Sequence, residues 1–246
     1  MSKKIKIFKM KDKNEKFYKE KGDLFNMSFR LLIIGKSLLS SKSNLIGNLL
    51  LQDDKKLYKD EFEGENIYIF SGSIDTDEKI KTIIEEKDIP SNNLFNEFDE
   101  EIVSAIYDLI KEEFTEAIKE KETPKHTLII FDDMSFGGNL KKSMNGAISK
   151  IFCNGRHILC SVILTTQKAT DILTVCQENA SGLIVFSCSD RQLDYITEYH
   201  NYLDDKKTFK KMFRDTTKEP HSFLVVNYSN PFEKRYLDKD FLPIEF

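Results

Sequence analysis

The sequence predicts an α/β protein: a mostly parallel sheet with helices on both faces and an antiparallel hairpin at the C-terminal end. Three observations predict it. Short apolar runs alternate with amphipathic stretches, as parallel strands and crossover helices do. A Gly-Lys-Ser turn at residues 35–37 follows one such run and precedes a helix. A second run, Leu128–Phe131, ends in the acid pair Asp132 and Asp133.

In chain order, residues 29–34 read as a buried strand and 42–51 as a helix. Residues 66–71 are a second strand, and 76–87 a charged helix. Over 97–120, Ile102, Ile106, Leu109, Ile110, Phe114 and Ile118 recur at helical spacing, which predicts a long amphipathic helix. Residues 127–131 are the third strand, and 138–152 a helix. Residues 159–166 and 182–188 are the fourth and fifth strands, with a short helix after Gln167. Two polar helices are expected near 190–201 and 204–214. Residues 222–228 form a late strand, with 233–237 as its hairpin partner. No repeat or Gly/Ser-rich linker divides the 246 residues, so 29–246 reads as one domain behind a lysine-rich arm, 1–28.

Composition excludes several classes. With 40% hydrophobic and 32% charged residues the chain can bury a core. No run of about 18 apolar residues exists, so no membrane-spanning helix is expected. The lysine-rich N-terminus lacks the apolar stretch of a secretory signal. Net charge is −4, so the chain is not a basic nucleic-acid coat, and any DNA contact needs a local patch. The arm lysines are one such patch, and a solvated terminus is the alternative. Lys141, Lys142 and Lys150 are another, with a solvated helix face as theirs. Cys153, Cys160, Cys176 and Cys188 lack metal-type spacing and read as small buried apolar residues.

Two clusters carry chemistry. Gly35, Lys36, Ser37, Ser40, Ser41, Lys42, Ser43 and Asn44 join a strand to a helix, the setting of a loop that cradles a polyphosphate. Backbone N–H groups and the helix dipole favour the phosphate charge there. Lys42 would reach the β- and γ-phosphates of ATP, and the Ser43 hydroxyl would hold Mg²⁺. The spacing departs from G-x-x-x-x-G-K: six residues separate Gly35 from Lys42, and Ser41 replaces the second glycine. A serine-rich turn that merely caps a helix is the alternative. The acids Asp132 and Asp133 end an apolar strand, where a carboxylate can hold Mg²⁺ and a second can polarise water. Asp132 is assigned to the metal, through its water shell, and Asp133 to the water. Gln167, at the end of the 159–166 strand, could sense the γ-phosphate or position water; a turn-forming amide is the alternative.

Gly-Lys-Ser followed by Ser-Lys-Ser-Asn-Leu, then IIFDDM, then Phe-Cys-Asn-Gly-Arg-His at 152–157 leading into SVILTTQ, resemble the poxvirus-type DNA-packaging ATPases. These are RecA-like motors of the FtsK–HerA superfamily, encoded by large DNA viruses and virophages. The likeness spans roughly 29–190. It implies a Mg²⁺-dependent ATPase that moves double-stranded DNA into a capsid as a homo-oligomeric ring. The implied partners are non-sequence-specific DNA and capsid proteins. The implied location is the host cytoplasm at assembly sites, or the virion. By the same likeness Lys42 and Ser43 match the Walker A loop, Asp132 and Asp133 the Walker B acids, and Gln167 a sensor amide. Arg156 matches the Gly-Arg-His element, where a cation could act on a neighbouring subunit's nucleotide. A structural salt bridge is the alternative role for Arg156, and Arg191 ranks second as the finger. The family often carries Arg two residues before an Asn where this chain has Gln177. Two other functions stay open: a non-hydrolysing scaffold or adaptor of the same fold, and a small-molecule kinase. The kinase needs an arginine-rich lid, and five scattered arginines do not make one.

Overall fold

The computed structural model describes residues 8, 10, 14–36, 40–133 and 146–245. Its frame is an eight-stranded sheet in the order β3-β2-β4-β5-β1-β6-β7-β8. The strands are β1 (Arg30–Ile34), β2 (Ile67–Ser71), β3 (Leu94–Phe95), β4 (Thr127–Asp132), β5 (Cys160–Thr166), β6 (Gly182–Phe186), β7 (Phe223–Asn227) and β8 (Tyr236–Leu237). Strands β1 to β6 run parallel, β7 pairs antiparallel with β6, and β8 antiparallel with β7. The mostly parallel sheet and the terminal hairpin are as the sequence predicts. Buried on both faces, the central strands are continuous apolar runs rather than alternating ones.

Helices cover both faces. Against one lie α1 (Lys42–Leu51) and α2 (Glu78–Glu86), through Leu45, Ile46, Leu49, Ile80 and Ile83. Against the other lie α3 (Glu100–Glu120), α4 (Ala147–Asn154), α5 (Thr174–Asn179), α6 (Asp190–His200) and α7 (Lys206–Thr216). Three starts are capped by aspartate, as the orphan N–H groups of a first turn require. Asp77 accepts from Lys79 N, Asp99 from Glu101 N and Ile102 N, and Asp205 from Thr208 N. Helix α3 ends on Lys121 at φ 63, a left-handed stop.

The details correct several expectations. The buried stripe of α3 is Val103, Ile106 and Ile110; Ile102, Leu109 and Ile118 are exposed. The helix expected over 138–152 is present as α4 from Ala147; residues 138–145, with Lys141 and Lys142, lie outside the described residues. Lys150 is exposed. Cys160 and Cys176 are buried as expected, but Cys188 is only partly buried and Cys153 is exposed. The short edge strand β3 has no counterpart among the predicted elements.

Residues 14–28 lie on the body of the domain. Leu24, Phe25 and Met27 are buried, and Asn227 Nδ2 donates to the carbonyls of Asp23 and Leu24 at 3.0 Å each. Gly182 makes room for the Phe25 ring: a Cβ there would sit 2.0 Å from it. Lys19 and Lys21 both pair with Glu61. Among the described residues no helix is long and apolar enough to cross a membrane.

Candidate functional site

The carboxyl ends of the parallel strands gather the predicted residues. Strand β1 runs into Gly35, and the chain re-emerges at Ser40 to begin α1. Glycine is required at 35 because a Cβ there would lie 2.5 Å from Ser40 Cβ and 3.0 Å from the Phe186 ring. Ser40 folds back on Lys36, giving its N–H and its hydroxyl to the Lys36 carbonyl at 2.9 and 2.6 Å. Ser41 stands at the N-cap position of α1 but makes no capping bond. Its hydroxyl pairs instead with His221 Nδ1 at 2.9 Å. A serine-rich turn built to cap the helix would do the opposite. The start of α1 thus lacks a side-chain acceptor from its cap residue, which suits an anion. Ser37 lies outside the described residues, Lys36 is exposed, and Asn44 is exposed on the side of α1 away from the acids.

Lys42 is buried, and its ammonium donates to the Gly35 carbonyl at 2.8 Å. Asp133 Oδ2 lies 3.6 Å from it. Gln167 Nε2 donates to the same Asp133 oxygen at 2.9 Å. The lysine, the second acid and the sensor amide therefore meet at one carboxylate. Asp133 itself takes a left-handed backbone, φ 45, just past the end of β4. Aspartate tolerates that region better than most residues, at some strain. Its N–H donates to Thr165 Oγ1 at 2.8 Å.

Asp132 is buried at the tip of β4. Thr165 Oγ1 donates to its Oδ1 at 2.9 Å, and Ser71 Oγ to its Oδ2 at 3.2 Å. Burial holds its carboxyl above the usual carboxylate range, and the Asp133 charge adds to that rise. The Thr165 and Ser71 hydrogen bonds and the Lys42 charge oppose it. Ser43 Oγ donates to Asp77 Oδ2 at 2.8 Å, which keeps the hydroxyl oxygen's lone pairs open to a cation. Lys42, Ser43, Asp77, Asp132 and Asp133 line a cleft of about 460 Å³ between α1 and the start of α2.

The donor set fits Mg²⁺. The hydroxyl and the carboxylates are hard oxygen ligands, and both Asp132 oxygens already accept protein hydroxyls, as a carboxylate acting through water does. Among the described residues no three acidic, His or Cys side chains converge into a cage of their own. Magnesium commonly binds through one or two carboxylates and the phosphates of a substrate, so none is needed.

Three positioning groups were not singled out from sequence: Thr165, Ser71 and Asp77. Thr165 and Ser71 are strand-end hydroxyls whose roles depend on β5 and β2 flanking β4. Asp77 carried a visible signal as an acid opening a helix, but only the fold shows that its second oxygen reaches Ser43. Arg156 lies elsewhere. It is exposed, just ahead of β5, at the amino ends of the strands. Its charge is close enough to Arg30 to help lower that guanidinium's pKa, after burial. Among the described residues it forms no ion pair, so the structural salt bridge is not observed. Arg191 opens α6 and lines none of the phosphate cleft.

Comparison with known proteins bears on the family and the fold. The family model described as "Poxvirus A32 protein" matches residues 14–236. No curated protein sequence matches the chain. Among solved structures, the genome packaging NTPase B204 of Sulfolobus turreted icosahedral virus 2, in complex with AMP, superposes with a TM-score of 0.59 at 16% identity, over 89% of this chain and 98% of that one. The DNA-packaging ATPase B204 of Sulfolobus turreted icosahedral virus gives 0.58 at 18% identity, over 89% and 100%. EssC (ATPases 2 and 3) of Geobacillus thermodenitrificans gives 0.53 at 15% identity, over 89% and 40%. These likenesses show a RecA-like P-loop fold. With the family model covering most of the chain, the protein belongs to the poxvirus A32 family.

Proposed function

We propose that the chain is an ATP-driven motor that moves double-stranded viral DNA into a capsid during virion assembly, in the host cytoplasm. The observation that carries this reading is the meeting of Lys42, Asp133 and Gln167 beside the Ser43–Asp77 and Asp132–Thr165 pairs, in a member of this family. Lys42 would hold the β- and γ-phosphates. Ser43 directly, and Asp132 through water, would hold Mg²⁺, which when bound offsets phosphate charge. Asp133 would accept a proton from water at its Oδ2, with Gln167 orienting that water. Arg156, at the opposite end of the strands, is assigned to a neighbouring subunit's nucleotide in a ring.

The packaging relatives B204 support ATP and DNA as the substrates, and tracking of the DNA backbone needs no base-reading residues. A non-hydrolysing scaffold is disfavoured, because it has no use for a buried lysine joined to a carboxylate–amide pair. A small-molecule kinase is disfavoured because, among the described residues, no arginine lines the phosphate cleft.

The test is Mg²⁺-ATP turnover with and without double-stranded DNA, with Lys42→Ala alongside. DNA-stimulated turnover lost in the variant is the expected result. Turnover unchanged by Lys42→Ala, or absent from the assembled wild type, sinks the motor reading.

A further inference from the structure

At the amino end of the strands, remote from the phosphate cleft, α5, the end of α6 and the turn after β7 enclose a cleft of about 290 Å³. That is room for a ligand of side-chain size. Four rings line it in series: Tyr199, His200, Tyr228 and Tyr202, with successive centroids 6.3, 6.1 and 5.9 Å apart. Tyr199 and Tyr202 remain 45% and 44% exposed, so two of the four rings are accessible.

The rings are fixed and neutral. Tyr228 Oη pairs with His200 Nδ1 at 2.7 Å. Tyr236 Oη donates to the His200 carbonyl at 3.0 Å and accepts from the Tyr202 N–H at 2.7 Å. Burial lowers His200 to about 4 and pushes the Tyr228 phenol well up, so neither is charged at neutral pH.

The polar groups of the cleft favour a cation. Gln177 lines it and is 7% exposed. Its Nε2 donates to the Ile172 carbonyl at 3.2 Å and to Tyr195 Oη at 2.9 Å, while its Oε1 is a buried acceptor without a partner. Such an acceptor costs free energy until a donor meets it. Glu178 is the only charged side chain lining the cleft among the described residues. Tyr195, ahead of the Glu198 and Glu178 charges, pushes the Tyr199 phenol up, so two carboxylates stand within electrostatic reach of that ring. The Arg235 guanidinium lies 4.6 Å from the Tyr202 centroid, so one of these rings already holds a cation of the protein's own.

We propose that this cleft binds a free organic cation of side-chain size, a guanidinium or primary ammonium compound. The Tyr199 and Tyr202 rings would meet the cation, Glu178 would balance its charge, and Gln177 Oε1 would accept one N–H. Ring faces are negative and attract a cation, and a guanidinium also brings the donors that the amide and the carboxylate lack. A neutral ligand of the same shape makes no use of the carboxylate, and an anion is repelled by it.

The test titrates the protein with methylguanidinium, and with methylurea as its neutral counterpart, below denaturing concentrations. The chain has no tryptophan, and three of its nine tyrosines line the cleft, so tyrosine emission follows binding. Glu178→Gln and Tyr199→Leu are compared with wild type; both positions are exposed, so neither change disturbs the core. The expected result is a saturable response to methylguanidinium and none to methylurea, with affinity lowered about two- to tenfold in each variant. No saturable response, an equal response to methylurea, or wild-type affinity in both variants overturns the cation site. Sedimentation along the same titration is expected to show unchanged mass. A mass that falls as the cation binds overturns the free ligand and gives the cleft to a basic side chain of a second copy.

Discussion

The two ends of the parallel strands are built on opposite plans. At the carboxyl end each polar group of the site is answered within the same chain: Lys42 by Gly35 and Asp133, Ser43 by Asp77, Asp132 by Thr165 and Ser71. At the amino end Arg156 is exposed, with no ion pair among the described residues, beside a second guanidinium, Arg30, that is committed to the Asn179 carbonyl. On the function proposed above, one end is the reaction site, and the other offers an exposed cation of the kind a subunit acting on its neighbour would use.

Mixing variants breaks this comparison most directly. Lys42→Ala and Arg156→Ala are each expected to lower turnover strongly, the arginine by about 10³-fold. If the two ends work in different subunits, mixing the two inactive proteins restores part of the activity. Recovery absent from mixed rings of confirmed composition refutes the division.

Acidity separates the two ends by sign. His126 and His200 lie at the amino end, and burial lowers both to about 4 from an ordinary 6.5. Their neutral forms belong to the folded state, so their contribution is present above pH 6.5 and is lost as pH falls toward 4, on the order of 3 kcal/mol each. Asp132, at the carboxyl end, is raised, so folding prefers its protonated form. Its effect runs the other way, with stability falling as pH rises through the raised value. Urea unfolding across pH 4 to 8, in wild type, a His126→Gln/His200→Gln double variant and Asp132→Asn, reads both. The double variant flattens the acid limb, and a limb unchanged from wild type refutes the assignment.

Thr165→Val tests positioning at the carboxyl end. It removes the hydroxyl that links the Asp132 carboxylate to the Asp133 N–H. The expected loss in kcat is about 10- to 100-fold, with little change in KM for ATP and partial rescue by Thr165→Ser. A loss confined to KM contradicts the role. The smallest effect is on the stability of the protein without Mg²⁺: Asp132→Asn is expected to raise it slightly in thermal unfolding near neutral pH, because a buried charge is removed. A fall in stability shows that the Thr165 and Ser71 hydrogen bonds outweigh burial.

The same contrast explains what the sequence made legible. The central strands are largely apolar; Asp132, Asp133 and Gln167 stand where one ends and Lys42 and Ser43 where the helix after one begins, so all five are marked in the sequence as punctuation. Thr165 and Ser71 also end strands, but nothing local marks them until β5 and β2 are known to flank β4. The buried stripe of α3 was misphased because apolar residues lie on both sides of it, and only packing chooses Val103 over Ile102.

The contacts of Lys42 also bear on timing. Its ammonium already has two oxygen partners in the protein, so an arriving phosphate replaces partners and does not meet a bare charge. The gain on binding is the difference between two sets of contacts, and a departing product finds the protein ready to close behind it. A motor that steps along a polymer is limited by how soon it can let go. If the chain is the motor proposed above, the carbonyl of Gly35 and the carboxylate of Asp133 would shorten each dwell.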